Sequence, residues 1–270
     1  MRTSVWLRLL VLALAMALIG GACTRGEEGE QTDGGDTAAE NTEDDTQEPG
    51  QGGGGDGETL LTEIQDRGTL RCGINNEVPG FGFQNPDTNE IEGFDIDFCK
   101  AFAAAIFGDP EQHELVPVTS DDRFIALRGG DFDVLVRNTT WTSSRDGTEG
   151  LAFTHPNFYD GQAMMVKADQ FSSIEEMDGA SVCVTTGTTT ELNLADYFQE
   201  LGMDFKPVAF EENPQIQEAF IAGRCDGWTS DRSQLAGLRS QFPQSEGGPE
   251  SLVIFEDVMS KEPLTPAVLD

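Results

Sequence analysis

The sequence predicts an α/β protein built of two similar lobes, each a mainly parallel sheet flanked by helices. Short apolar runs alternate with helical periodicity over residues 69–136, and the same alternation recurs over residues 181–229. Strand–helix–strand order predicts parallel strands with right-handed crossovers. The segment FIALRGGDFDVLV (124–136) also resembles AFIAGRCDGWTS (219–230), since each is a helix end, a glycine turn, an aspartate and a strand. The two halves are therefore expected to share one topology.

Apolar spacing and turn residues divide each half into strands and helices. In the helix predicted at residues 92–107, Asp95 can cap the first turn, and the Gly-Asp-Pro run at 108–110 ends it. The first half is predicted to hold strands at 69–74, 115–118 and 132–136 and helices at 92–107 and 121–128. The second half is predicted to hold strands at 181–184, 205–210 and 225–229 and helices at 188–201 and 214–222. Ligands of open α/β sheets bind beyond the carboxyl ends of the strands, so the ligand site is expected in the cleft between the lobes.

The N-terminus predicts export from the cytoplasm. Arg2 and Arg8 precede an unbroken apolar run at residues 9–19, and small residues follow up to Cys23. This pattern is typical of a signal peptide over residues 1–22, and the run is too short to span a bilayer as a helix. A cysteine after small residues resembles the lipobox of bacterial lipoproteins, which predicts that Cys23 is acylated. Gly20 departs from that pattern, and the alternative is ordinary secretion with an incidental Cys23.

The composition of residues 23–58 predicts a disordered tether. This stretch is rich in glycine and acidic residues and has almost no large apolar residue, so it cannot offset the entropy lost on ordering. The whole chain has 49 acidic residues against 16 lysines and arginines. Such a balance argues against nucleic acid as a partner, because that affinity comes mainly from neutralised phosphates.

Four cysteines remain when Cys23 is set aside, and they predict two structural disulfides. They are Cys72, Cys99, Cys183 and Cys225. An even number in an oxidising compartment favours disulfides, and four cysteines allow three connectivities. Their spacing does not fit a zinc site, and neither a metal nor a cofactor is predicted.

Three loops that follow predicted strands carry the candidate chemistry. RNTTWTSSRDG (137–147) is rich in hydrogen-bond donors. Its Arg145 carries a guanidinium group, a planar fork of N–H donors that can bind both oxygens of a carboxylate. TTGTTTELN (185–193) contains a capping box with Thr188 as the N-cap and Glu191 three residues later, and a helix N-terminus favours an anion. WTSDRS (228–233) holds Asp231, which can accept hydrogen bonds from an ammonium group.

Each loop taken alone has a simpler interpretation. Capping boxes are common at helix starts, and a loop aspartate is more often a turn or cap residue. Together the loops offer donors for a carboxylate and one acid for a cation. That combination describes a site for a zwitterion, and a free α-amino acid is the obvious zwitterion.

Several longer segments make the similarity to a known family specific. LRCGINNEVPGF, GFDIDFC, DVLVRNTTWTSSRD, CVTTGTTTELNLADYF and AGRCDGWTSD resemble the extracytoplasmic solute-binding proteins of ABC importers, of the general L-amino-acid-binding type. The likeness runs from about Gly68 to the C-terminus. It implies a type II periplasmic-binding-protein fold with a two-strand hinge, and disulfides Cys72–Cys99 and Cys183–Cys225, one in each lobe.

The same resemblance implies a role for each residue of the ligand site. Arg145 would bind the ligand α-carboxylate, and Asp231 would accept from the α-ammonium group. An aromatic residue of the first loop would pack on the ligand, and Phe81 is the candidate. The full predicted set is Phe81, Asn138, Thr140, Arg145, Thr188, Thr189 and Asp231, with no catalytic residue.

The resemblance also predicts how the chain is divided. It would cross to the second lobe near residues 162–167 and return near 258–262. Lobe 1 is expected at residues 59–163, lobe 2 at 164–257, and the return to lobe 1 at 258–270. In this family further helices complete lobe 1 after the return, so the sequence is expected to be a fragment or an early-ending reading frame.

The predicted function is to bind free L-amino acids outside the cytoplasmic membrane as a lipid-anchored monomer. Lobe closure would then present the ligand to the membrane permease of an ABC transporter. One alternative is an enzyme resembling periplasmic cyclohexadienyl dehydratases, for which Glu77 is the nominated general acid. Another is a sensor whose closed form is recognised by a membrane receptor.

Overall fold

The computed structural model describes residues 59–270, so the predicted signal peptide, Cys23 and the tether lie outside the described residues. The helices are α1 (Leu60–Arg67), α2 (Phe94–Phe107), α3 (Arg123–Gly129), α4 (Ser143–Thr148), α5 (Thr189–Glu200), α6 (Asn213–Ile221) and α7 (Arg232–Ser240). The first seven strands are β1 (Leu70–Ile74), β2 (Glu77–Val78), β3 (Gly82–Gln84), β4 (Ile91–Glu92), β5 (His113–Pro117), β6 (Val134–Leu135) and β7 (Leu151–Phe153). The remaining strands are β8 (Phe158–Lys167), β9 (Ser181–Thr185), β10 (Lys206–Phe210), β11 (Gly227–Asp231), β12 (Leu252–Ile254), β13 (Ser260–Leu264) and β14 (Ala267–Leu269).

The first lobe consists of a five-stranded sheet, a small three-stranded sheet of β2, β3 and β4, and helices α1 to α4. The strand order of the five-stranded sheet is β5-β1-β6-β14-β7. Strand β1 is parallel to both β5 and β6, whereas β14 is antiparallel to β6 and β7. The apolar face of α2 packs on this sheet through Ile96 and Ala103, which are fully buried beside Ile74. The predicted parallel strands thus form one side of the sheet, with β5 at its edge, and β14 and β7 extend it on the other side.

The second lobe consists of a six-stranded sheet with helices α5 to α7. Strand β9 lies between β10 and β11 and is parallel to both. Strand β8 is antiparallel to β11, β12 and β13. Phe220 of α6 packs edge-on against Trp228 of β11, and both side chains are buried. This lobe therefore repeats the parallel strand–helix pattern of the first and adds antiparallel strands at one side.

Two antiparallel strands connect the lobes. Strands β8 and β13 pair from Gln162 opposite Ser260 to Phe158 opposite Leu264. Leu264 also forms a bridge with Thr140 of the first lobe. The two-lobed fold with its two-strand connection is therefore confirmed. The lobe boundaries at residues 163 and 257 remain a prediction.

Both disulfides implied by the family resemblance are present. Cys72 of β1 is bonded to Cys99 of α2, and their Cα atoms are 6.2 Å apart. Cys183 of β9 is bonded to Cys225, which lies just before β11, with a Cα separation of 5.6 Å. Each bond joins a central parallel strand to a neighbouring element within its own lobe.

Helix α2 begins differently from the prediction, which made Asp95 its cap. The helix begins at Phe94, and the N-cap is Gly93 with φ of 133°, a backbone conformation that favours glycine. A Cβ atom at Gly93 would lie 2.3 Å from the carbonyl oxygen of Phe81. Asp95 is instead buried inside the first turn, where its carboxylate accepts a hydrogen bond from the backbone N–H of Asn138. Asp95 therefore positions a loop of the ligand cleft.

No helix within residues 59–270 has the length and apolar character needed to cross a membrane.

Candidate functional site

The carboxyl ends of the parallel strands in both lobes meet at one cavity. It contains about 440 Å³ of space unoccupied by atoms, part of it open to solvent. Six of the seven predicted ligand residues line it: Asn138, Thr140, Arg145, Thr188, Thr189 and Asp231. The buried side chains of Arg123, Arg137 and Gln234 line it as well. Within residues 59–270, no group of three or more His, Cys, Asp and Glu side chains is placed to hold a metal ion.

The loop after β6 enters the cavity in a constrained conformation. Asn138 has φ of 31°, in the left-handed region that asparagine tolerates better than most residues. Its backbone N–H donates to Asp95 Oδ2 at 2.8 Å, and its side-chain oxygen accepts from Asn75 Nδ2 at 3.2 Å. Burial raises the pKa of Asp95 to about 6, although the Asn138 hydrogen bond and the charge of Arg137 favour the ionised form. These contacts hold the loop in place while its other donors face the cavity.

The guanidinium group of Arg145 is oriented by two contacts, one with a backbone carbonyl and one with an aromatic ring. Arg145 lies in the short helix α4, whose N-cap Thr142 accepts the Arg145 backbone N–H at 3.2 Å. Its guanidinium donates from Nη1 to the carbonyl oxygen of Thr140 at 2.8 Å and lies over the ring of Phe124 at 5.2 Å. Burial lowers the pKa of Arg145, whereas the nearby carboxylate of Glu262 raises it. The fork is therefore oriented, and most of its N–H groups remain available to a ligand.

The start of helix α5 faces the same cavity, and its predicted cap is confirmed. Thr188 is the N-cap, and its hydroxyl accepts the backbone N–H of Glu191 at 3.1 Å. The Glu191 carboxylate accepts from the N–H of Gly187 at 3.0 Å. The N–H groups of Thr189 and Thr190 open the helix and have no acceptor within it. They provide neutral donors and the positive end of a helix dipole for an anion.

Glu262 of β13 binds donors from both sides of the cleft, and no motif in the sequence pointed to it. This carboxylate is 1% exposed and accepts from the hydroxyl of Thr140 at 2.6 Å and that of Thr189 at 2.8 Å. It also accepts from Asn193 Nδ2 at 2.9 Å and from the hydroxyl of Ser260. The hydroxyl protons of Thr140 and Thr189 are thus already used, so a ligand carboxylate would rely on Arg145 and on backbone N–H groups.

Asp231 is the acidic side chain among the residues that line the cavity. It ends strand β11 and is 3% exposed. Its Oδ2 accepts from Gln234 Nε2 at 2.6 Å, and its Oδ1 is buried without a hydrogen-bond partner. Burial raises the pKa of Asp231 well above its ordinary value, and the carboxylates of Glu262 and Asp160 raise it further. A buried carboxylate oxygen without a donor is costly, and a ligand cation would relieve that cost.

Two residues nominated from the sequence lie outside the lining of this cavity. The ring of Phe81 packs edge-on against Phe158, with ring centroids 5.2 Å apart, and against Phe94 at 6.0 Å. Glu77 accepts the backbone N–H of Asn213, at the start of α6, at 3.1 Å, and burial raises its pKa. Phe81 thus packs in an aromatic cluster with Phe94 and Phe158, and Glu77 makes a hydrogen bond between the two lobes.

Comparison with known proteins agrees with this architecture. Residues 70–223 match the family described as bacterial extracellular solute-binding proteins, family 3. The general L-amino acid-binding periplasmic protein AapJ of Rhizobium johnstonii is 44% identical over 211 residues, which are 78% of this chain and 60% of that relative. The glutamate/glutamine/aspartate/asparagine-binding protein BztA of Rhodobacter capsulatus is 47% identical over 213 residues, which are 78% of this chain and 61% of that relative.

A solved structure shares the same fold. An ABC transporter periplasmic binding protein from Brucella ovis with glutathione bound is 43% identical, with a TM-score of 0.72. The alignment covers 78% of this chain and 65% of that structure. The chain spans about three fifths of the length of the two curated relatives.

Proposed function

Because this chain belongs to the bacterial extracellular solute-binding proteins of family 3, we propose that it binds free L-amino acids in the cavity between its lobes. The observation that carries the proposal is that Arg145 and Asp231 line the same cavity. The Arg145 guanidinium is held in place there, and Asp231 Oδ1 has no hydrogen-bond partner. A zwitterion satisfies both groups. The names of AapJ and BztA, which describe binders of amino acids, support the same ligand class.

The proposed binding mode follows from the free donors and acceptors. The ligand α-carboxylate would take hydrogen bonds from the Arg145 fork and from the N–H groups at the start of α5. The α-ammonium group would donate to Asp231 Oδ1. Asn138 and Thr188 would line the wall beside these groups, and the hydroxyls of Thr140 and Thr189 would hold Glu262 rather than the ligand.

Closure of the lobes is the proposed response to ligand. Glu77 bonds the start of α6, and Arg123 Nη2 donates to the carbonyl oxygen of Gly187 at 3.0 Å, so each contact joins the first lobe to the second. A ligand that bridges Arg145 and Asp231 adds contacts available only when the lobes are together, and this differential contact shifts the equilibrium toward closure.

We further propose that the closed protein delivers its ligand to an ABC transporter permease outside the cytoplasmic membrane. Acylation at Cys23 would keep the monomer near the permease, as the N-terminal sequence predicts. The dehydratase alternative is not favoured, because its nominated acid Glu77 is bonded to Asn213 and lies outside the cavity lining, and the relatives compared are named as binding proteins.

Thermal unfolding with each of the twenty L-amino acids tests the proposal. Ligand at about 100 times its dissociation constant should add roughly 2.7 kcal/mol to the free energy of unfolding. For a domain of this size each kcal/mol raises Tm by about 2–4 °C, so a shift of several degrees is expected. Matched controls are the N-acetyl and the amide derivatives of the best ligand, which lack the ammonium or the carboxylate charge. A clean transition that no amino acid moves would exclude the proposal.

We expect Glu262→Gln to weaken amino-acid binding about fivefold. Glutamine has one acceptor oxygen where glutamate has two, so the donors from Thr140, Thr189 and Asn193 can no longer share one carboxylate, and loss of one such bond costs about 1 kcal/mol. Titration calorimetry gives the dissociation constants. Glu256→Gln, at an exposed glutamate outside the cavity lining, is the control. Equal affinities in both variants would show that Glu262 does not position the site.

A further inference from the structure

Gly237 lies inside helix α7 at a point where the first lobe leaves no room for a side chain. A Cβ atom at this position would lie 2.3 Å from the carbonyl oxygen of Pro79, in the turn between β2 and β3. At such a separation one of the two groups must move. Glycine is otherwise unfavourable inside a helix, because it loses more backbone freedom on folding than alanine does. The close approach of the two lobes is therefore what this glycine permits.

The β2–β3 turn (residues 79–81) is held firmly within the first lobe. Backbone N–H groups at the start of α2 donate to the carbonyl oxygens of Gly80 and Phe81 at 2.9 and 3.0 Å. The Phe81 ring also packs edge-on against Phe158 of β8, one of the two strands that connect the lobes. The turn therefore cannot move away from Gly237 without disturbing α2 and the connection between the lobes.

Helix α7 carries part of the ligand site on the side that contacts the β2–β3 turn. Asp231 is the N-cap of α7, and Gln234 Nε2 donates to Asp231 Oδ2 at 2.6 Å. Gln234 lines the ligand cavity, and Gly237 follows it by three positions, which places both residues on one side of the helix. A shift of α7 away from the turn would therefore move Asp231 relative to Arg145 of the first lobe.

A second contact belongs to the same interface between the lobes. Glu77 of β2 accepts the backbone N–H of Asn213, the first residue of α6, at 3.1 Å. Strand β2 thus contacts both α6 and α7 of the second lobe. Neither Glu77 nor Gly237 is among the residues that line the ligand cavity. This interface is therefore placed to affect closure of the lobes without touching the ligand.

We propose that Gly237 is a positioning residue that lets the lobes approach closely enough for Arg145 and Asp231 to hold one ligand together. This inference rests on the proposed function, since it concerns closure around the same amino-acid ligand. An alanine would fit the open protein, where α7 and the β2–β3 turn are apart. In the closed protein its Cβ would be pressed against the carbonyl oxygen of Pro79, so the variant would favour the open form.

The test is Gly237→Ala, measured with and without ligand. Without ligand we expect Tm to be unchanged or up to about 4 °C higher, because alanine favours a helix more than glycine does. Titration calorimetry should show affinity reduced about tenfold, since overpacking a tight contact typically costs that much. The factor should be the same for amino acids with different side chains. Stopped-flow fluorescence should place the loss in the dissociation rate, because the open form that first meets the ligand is unaltered.

Gly129→Ala, in α3, is the matched control. An added Cβ there would make only an ordinary contact, 3.9 Å from Asp131 Oδ1, so neither the affinity nor the dissociation rate should change. Unchanged affinity in Gly237→Ala would overturn the inference and leave the proposed function standing. A lower Tm without ligand, failure to fold, or a loss confined to one amino acid would overturn it as well. An unaltered protein that binds no amino acid would contradict both proposals.

Discussion

Replacing Arg145 with alanine is expected to weaken amino-acid binding at least 100-fold. Arg145 is the cation of the cavity that is oriented by its own loop, through the carbonyl oxygen of Thr140 and the ring of Phe124. Without it the ligand α-carboxylate would lose its bidentate charged partner and keep the neutral N–H donors at the start of α5. Removing one partner of a buried, hydrogen-bonded charge pair costs roughly 2–5 kcal/mol, and about 2.7 kcal/mol corresponds to a factor of 100. Titration calorimetry with the best ligand measures the change.

Two further variants make this result specific. Arg145→Lys keeps the charge but loses the fork, so its affinity should fall between those of the unaltered protein and Arg145→Ala. Arg128→Ala removes an arginine from an exposed ion pair with Glu149 and should leave binding unchanged. Circular dichroism and thermal unfolding confirm that each variant is folded. Unchanged affinity in a folded Arg145→Ala protein would remove the assignment of the carboxylate site.

The parts of the site that could be predicted from the sequence are those set by local rules. The loops that hold Arg145, Thr188 and Asp231 each follow or end a strand, and parallel strands deliver their carboxyl ends to one edge of a sheet. The cap at Thr188 is likewise a property of a few consecutive residues. Strand order and capping therefore indicated the three loops, whereas the individual roles of residues such as Thr140 and Thr189 came from the resemblance to the solute-binding family.

The remaining features depend on residues far apart in the chain. Glu262 bonds Thr140, from which it is separated by 122 positions, and nothing near it in the sequence signals that contact. Arg123 was overlooked because a single arginine at a helix start is usually exposed, and only the assembled cleft shows that it is buried. Asp95 was assigned to a cap because capping is local, whereas its real partner lies 43 positions away.

The acidic composition of the chain conceals a cationic site. Acidic residues outnumber lysines and arginines 49 to 16, yet three of those arginines line one cavity. Composition describes the solvated surface, where charge governs solubility and long-range steering. Ligand selection depends instead on the few charges removed from water, whose interactions are much stronger. The net charge of this chain thus carries little information about the sign of its ligand.

The second large effect is expected for Asp231→Asn, which should weaken amino-acid binding about 100-fold and also raise the Tm of the ligand-free protein. Asparagine keeps the acceptor for Gln234 Nε2 but cannot neutralise an ammonium group. In the ligand-free protein an ionised Asp231 is a buried charge near the carboxylates of Glu262 and Asp160, and asparagine removes that charge. A gain of about 1 kcal/mol corresponds to a rise in Tm of roughly 2–4 °C for a domain of this size.

The pH dependence of Tm distinguishes the cost of burying the Asp231 carboxylate from an effect of altered side-chain packing. The pKa of Asp231 is raised well above 3.8 in the folded protein, so the folded state binds a proton more tightly than the unfolded state does. The stability that this group contributes is therefore present below the unfolded pKa and is lost as pH rises through the folded pKa. Asp231→Asn removes this loss, so the advantage of the variant in Tm should grow with pH across that range.

Thermal unfolding of both proteins over a pH series, without ligand, measures that difference. Asp257→Asn, at an exposed aspartate, is the matched control and should follow the unaltered protein at every pH. If Asp231→Asn binds amino acids as tightly as the unaltered protein, Asp231 is not the ammonium acceptor. If its Tm runs parallel to that of the unaltered protein at all pH values, the buried carboxylate does not carry the cost assigned to it. Loss of binding together with a gain in stability would show that Asp231 is kept for the ligand at the expense of the fold.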